Sequence, residues 1–164
     1  MEPFHPSLNT LAQLAFFGID AVRDGYFISL KNVHRAFIFV IVEQGADATA
    51  HVLTLKQATA GAGTTTGTGE KALLVNSPVY YNENCKINNI MTAGTAALGV
   101  YTMDANQSRT KMVVFEIVPE RDMDMANSFD CIGIDISDLG AANVGGAFAI
   151  LEPRYGPLPT VFAD

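Results

Sequence analysis

The residues of this chain best suited to chemistry fall into a few groups, and each lacks something its chemistry requires. The tract Gly61-Ala62-Gly63-Thr64-Thr65-Thr66-Gly67-Thr68-Gly69-Glu70-Lys71 has the glycines and the lysine of a phosphate loop. A phosphate cradle needs GxxxxGK followed by Ser or Thr, so that backbone N–H groups ring the phosphate and the hydroxyl reaches Mg²⁺. Here Glu70 intervenes before Lys71 and Ala72 has no hydroxyl, so the tract is predicted to be a mobile surface loop. The glycines of 140–146 also miss GxGxxG and precede a strand instead of opening a helix. His5, His34 and His51 are the only histidines, and none has a second His nearby on its own strand, as a metal-binding jelly roll needs. Asp122-Met123-Asp124, with Glu120 close by, offers oxygens to Ca²⁺ or Mg²⁺ but has no EF-hand spacing, and reads as a solvated acidic turn after Pro119. Glu116 and Asp135 would need to sit about 5–9 Å apart to hydrolyse a glycoside. Both fall where alternation puts outward residues, and the chain has no Trp to form a sugar platform. Nor is there a GxSxG elbow around a nucleophile. The sequence therefore predicts no catalytic, cofactor-binding or metal-binding residue, and a non-enzymatic protein.

The elements that would have to position such groups are almost all strands. In the stretch 111–137, Val113, Phe115 and Ile117 share one parity, and Ile132, Ile134 and Ile136 do the same, while Glu116, Asp130 and Asp135 take the other. That is the pattern of half-buried strands, and the stretch reads as the organising hairpin. The run 35–42 is apolar at both parities, with Ala36, Ile38, Val40 and Val42 against Phe37, Phe39 and Ile41. A strand of this kind lies centrally, or under a subunit contact or a terminal arm. Residues 49–58 alternate, with Leu53 and Leu55 inward, and shorter strands are predicted at 26–30, 73–75, 79–81, 86–91, 98–103 and 144–151.

The ends are different. Ser7 after Pro6 is placed to cap a helix carrying Leu8, Leu11, Ala12 and Ala15, yet Phe16-Phe17-Gly18 breaks the helical period, so 1–24 is read as an arm or short helix. Pro153, Pro157 and Pro159 forbid regular structure in 153–164 and favour an extended tail. The expected architecture is all-β, an antiparallel β-sandwich of jelly-roll type over 25–152 between these two segments.

Composition narrows the class. The net charge of −7 repels phosphate backbones, and no Lys/Arg cluster overrides it, so direct nucleic-acid binding is not expected. The apolar run 11–17 is too short for a membrane span, and Met1-Glu2-Pro3 lacks a basic leader, so synthesis in the cytoplasm is expected. Cys85 and Cys131 form no CxxC pair and read as reduced thiols. Only 16% of residues are charged against 49% hydrophobic, which predicts apolar surface hidden against other subunits.

Tyr26-Phe27-Ile28-Ser29-Leu30-Lys31, Leu53-Thr54-Leu55-Lys56-Gln57-Ala58, Phe129-Asp130-Cys131-Ile132-Gly133-Ile134-Asp135, and the closing Arg154-Tyr155 and Leu158-Pro159-Thr160 before Asp164 together resemble a group of small tailed-bacteriophage virion proteins. These are capsid decoration or cement proteins. The resemblance implies a β-sandwich or jelly-roll subunit, without an active site, that forms small homo-oligomers (dimer or trimer) on the capsid exterior, bridges neighbouring major capsid protein subunits, and is made in the host cytoplasm. Phe4, Leu8, Phe16, Phe17, Phe37, Phe39, Arg154, Tyr155, Leu158 and Phe162 are the expected interaction residues. The alternatives are a tail or head-to-tail connector component, or a small glycan- or ligand-binding β-sandwich.

Overall fold

The computed structural model describes residues 10–17, 23–45, 48–106, 108–137 and 143–154, and of 10–17 and Arg23 the backbone alone. In chain order the strands are β1 (Thr10–Phe17), β2 (Arg23–Asp24), β3 (Ile28–Ser29), β4 (Val33–Gln44), β5 (Val52–Ala58), β6 (Ser77–Asn82), β7 (Thr92–Ala96), β8 (Val100–Thr102) and β9 (Arg109–Ile117). A single helical turn, α1 (Pro119–Asp122), and a 3-10 turn at Met125–Asn127 lead to β10 (Cys131–Ile136) and β11 (Val144–Pro153). Contrary to expectation, Pro153 ends a strand, paired with Val33 after a register shift that spares its missing N–H.

These strands build two antiparallel sheets. The larger runs β1-β11-β4-β9-β6-β7, and the smaller β2-β10-β5-β8 with β3 also paired to β10. One apolar core lies between them: Ile38, Val40, Val113, Phe115 and Val79 from the first meet Leu53, Leu55, Ile132, Ile134 and Ile136 from the second. The all-β sandwich predicted from alternation is the fold observed. Every parity assigned to the core in 36–42, 53–55, 113–117 and 132–136 is buried.

Several local expectations are corrected. β9 and β10 do not form a hairpin; they belong to opposite sheets, and α1 with the 3-10 turn carries the chain across. Both strands have better partners elsewhere, β9 pairing with β4 and β6 and β10 with β5. The connector is not a simple solvated acidic turn, because Asp122 is buried. It accepts the Val118 backbone N–H at 2.8 Å and two bonds from the Arg121 guanidinium, so the acid caps a helical turn that has only Pro119 at its start.

Thr10–Phe17 is a strand and not the short helix that its spacing allowed. It is the edge strand of the large sheet, paired antiparallel to β11 with a bulge between Gln13 and Ala15. The open edge of β11 offers unpaired N–H and C=O groups, and satisfying them outweighs the weak helical spacing of Leu11, Ala12 and Ala15. Residues 86–91 form no strand either. Asn82 and Asn88 side chains bond the backbone N–H of Asn84 and Ile90, fixing local turns that compete with a ladder.

The Gly/Thr tract is held rather than open. Phe27 donates its N–H to Thr64 and accepts from Gly63, both at 2.8 Å, and the Thr59 N–H is bonded to Thr68. A Cβ on Gly67 would stand 2.5 Å from that of Ala58, so glycine is what lets the loop lie on the sheet. Leu73 to Val75 is also outside any strand, with Leu74 and Val75 exposed.

Candidate functional site

The expected interaction residues divide by place. Phe4, Leu8, Tyr155, Leu158 and Phe162 lie outside the described residues, as do His5 and the proline-rich tail beyond Arg154. Phe16 and Phe17 fall in β1, in register with Gly146 and Gly145 of β11. Arg154 is engaged within the chain: its backbone N–H donates to Asn32, its Nε to Val33, and its Nη1 pairs with Glu120 at 2.6 Å. It pins the end of β11 to the start of β4.

Phe37 and Phe39 belong to a continuous surface. In β4, alternation sends Ala36, Ile38, Val40 and Val42 into the core, which turns Arg35, Phe37, Phe39, Ile41 and Glu43 outward. β4 is central in its sheet, so its outward residues have neighbours on both sides. Phe39 stands between Phe148 and Val114, Phe37 between Ile150 and Glu116, and Ile41 between Gly146 and Met112. The Phe39 and Phe148 rings stack with centroids 4.9 Å apart. Gly146 gives Ile41 no side chain to lean on, and Ile41 is 40% exposed; Val144 and Tyr80 on the same face are 44% and 37% exposed.

Polar groups close both ends of this apolar strip. At one end Arg35 lies 5.8 Å over the Phe37 ring and 3.8 Å from both Glu116 and Glu152. At the other, Glu43 accepts from Lys86 at 2.5 Å and from the Thr110 hydroxyl. The Lys86 and Thr110 bonds hold the Glu43 carboxyl below its ordinary range. Beside Lys86, the turn at 84–90 exposes Ile87 and Ile90 by 84% and 68%. The strip thus has an apolar middle and charged ends, with two exposed isoleucines beside Lys86.

No protein-family model, curated protein or solved structure matches this chain.

The chemistry-bearing residues are not assembled into a site. Glu116 is on β9 of the large sheet beside Arg35, and Asp135 on β10 of the small sheet against Lys56, so the two carboxylates are not brought together. Burial pushes the Asp135 carboxyl up, partly opposed by the bond from Lys56. Asp124 is tied to Lys71 at 2.6 Å and to the Asn127 amide. His34 is exposed, while His51 is buried with Nε2 3.2 Å from the Asn143 amide nitrogen. Among the described residues, no group of three His, Cys, Asp or Glu side chains is placed to hold a metal ion, and no helix is long and apolar enough to cross a membrane.

Reasoning from sequence placed Phe37, Phe39 and Ile41 on one face of β4 but did not mark Phe148, Ile150 or Ile87. The signal for Phe148 and Ile150 was present, since residues 144–151 mix apolar residues at both parities as 35–42 do. It also missed the buried lysine Lys111, which sits at the parity of Val113 and Phe115 and so was marked for the interior.

Proposed function

We propose that this chain is a non-enzymatic virion structural protein that decorates and cements a tailed-phage capsid. The observation that supports this most is the outward face of the large sheet, where Phe37, Phe39, Ile41, Phe148 and Ile150 form an apolar strip, Ile41 exposed and the others half-buried, on the side away from the core between the sheets. Isolated exposed apolar residues are ordinary, but a contiguous strip with a charged rim is the usual form of a protein contact. In this reading the strip seats against another subunit, either a second copy in a dimer or trimer or the major capsid protein, on the capsid exterior. The net charge of −7 suits a position away from packaged DNA. The resemblance of 26–31, 53–58 and 129–135 to capsid decoration proteins points the same way.

Cementing operates by mass action, because a subunit that binds only the assembled shell stabilises it in proportion to occupancy. The test mixes purified protein with undecorated capsids. The expected result is co-sedimentation and a rise in the temperature at which the shell releases DNA. Failure of both overturns the reading.

A further inference from the structure

Lys111 lies in β9 at the parity of the core residues, so the strand carries its side chain inward, where it is wholly buried. Taking an ammonium out of water costs several kcal/mol unless it is closely partnered. Its Nζ touches Oδ1 of Asp104, also donates to the Asp104 carbonyl, and stands 3.7 Å from Oε2 of Glu83. Tyr101 donates to the other Glu83 oxygen at 2.8 Å, and its ring packs against Tyr81 with centroids 5.3 Å apart. Oε2 of Glu83 is buried without a hydrogen bond. The amine, the carboxyl it touches and a second carboxylate facing that amine are the components of an amide condensation, held beside two aromatic rings.

We propose that Lys111 and Asp104 condense after folding into an intramolecular isopeptide bond, Nζ to Cγ, with Glu83 carrying the proton. The pair meets as ammonium and carboxylate, and transfer of one proton from Lys111 to Asp104 leaves a neutral amine and a neutral acid. The nitrogen lone pair then adds to Cγ. Glu83 accepts the proton that the nitrogen sheds and returns it to the departing hydroxyl; the C–O bond breaks and one water leaves. Atoms and charge balance, and neither an oxidant nor a co-reactant is required.

The surroundings bear on each step. The Lys111 Nζ already hydrogen-bonds the carboxyl whose Cγ it must attack, so little further translational or rotational ordering is needed, the largest advantage a folded site gives such a reaction. Burial pushes the Glu83 carboxyl up from its ordinary value, against the opposing bond from Tyr101, which brings it toward the range where a group both accepts and returns a proton. Burial raises Asp104, but the bonds from Lys111 and Asn106 outweigh it and hold this acid low, so proton transfer from Lys111 to Asp104 is the uphill step, which the contact between the two groups has to carry. Arg109 Nη1 lies 3.6 Å from Oδ2 of Asp104, where the adduct gathers negative charge. Because β8 belongs to the small sheet and β9 to the large one, the bond would staple the two layers at the β8–β9 connection.

Intact-mass spectrometry of the purified full chain tests this. The expected mass is one water below that of the sequence, with a branched peptide joining Asp104 to Lys111 after digestion. Lys111→Arg and Glu83→Gln are expected to restore the full mass. A wild-type chain of full mass overturns the proposal and leaves a purely ionic cluster. So does a water loss that maps elsewhere, for example to a succinimide at Asp24-Gly25. A branched peptide undiminished in Glu83→Gln overturns the role given to Glu83. The wild-type measurement decides whether the bond forms, so a variant that fails to fold does not compromise the test.

Discussion

Phe39 and Phe148 stack ring on ring, centroids 4.9 Å apart and planes within 3° of parallel, on the side of the large sheet that faces away from the core. Neither ring is needed to fill the interior, which Ile38 and Ala149 close from the same two strands. The pair therefore allows folding and docking to be separated by mutation.

Phe39→Ala is expected to lose the cross-strand aromatic pair, about 0.5–1.5 kcal/mol, and a double-mutant cycle with Phe148→Ala measures that coupling by denaturant unfolding. Ile41→Lys is the complementary variant. Ile41 is 40% exposed beside Gly146, so folding stability should change by no more than about 0.5 kcal/mol while capsid binding is abolished. Equal capsid binding by Ile41→Lys and wild type would exclude this face as the contact.

Gly133→Ala tests how tightly the small sheet is packed. A Cβ at Gly133 would stand 2.9 Å from the Phe27 ring, and a Cβ at Gly67 would meet the same ring at 2.9 Å. Overpacking of this kind costs about 1–3 kcal/mol. Because Phe27 also holds Gly63 and Thr64, limited proteolysis should show faster cleavage within 61–69 in the variant.

The Glu43 contacts give an acid-side prediction. Its carboxyl is held below the ordinary value of 4.5 by the Lys86 bond first and the Thr110 bond second. A depressed folded value means that the stabilisation is present above the unfolded pKa and lost as pH falls through the folded one. Glu43→Gln should therefore be less stable than wild type at neutral pH, and the difference should disappear as the pH falls through the lowered Glu43 value. The effect should be modest, since the side chain is 43% exposed.

Tyr101 gives the alkaline counterpart. Burial, and then its bond to Glu83, raise its phenol far above the ordinary value of 10.0. A raised folded value contributes stability below the unfolded pKa that is lost as pH climbs above it. Tyr101→Phe should flatten the alkaline fall in stability, and absorbance titration should show one of the 5 tyrosines resisting ionisation until the chain unfolds. Full phenolate formation in the folded protein would contradict this.

Alternation with period two was enough to determine the strands, their inward residues and the sandwich class, because in a half-buried sheet the solvent boundary is written directly into side-chain order. It determined β4 as a strand with two apolar faces. Which partners its outer face received, and that β9 and β10 separate into different sheets, depended on long-range pairings that no local pattern contains. The same holds for Thr10–Phe17, whose weak helical spacing yielded to the open edge of β11 more than a hundred residues away. Asp104, Lys111 and Glu83 had no motif to mark them. They meet only because the chain passes from β8 in the small sheet to β9 in the large one and Glu83 follows the end of β6, which leaves a wholly buried Lys111 against two carboxylates.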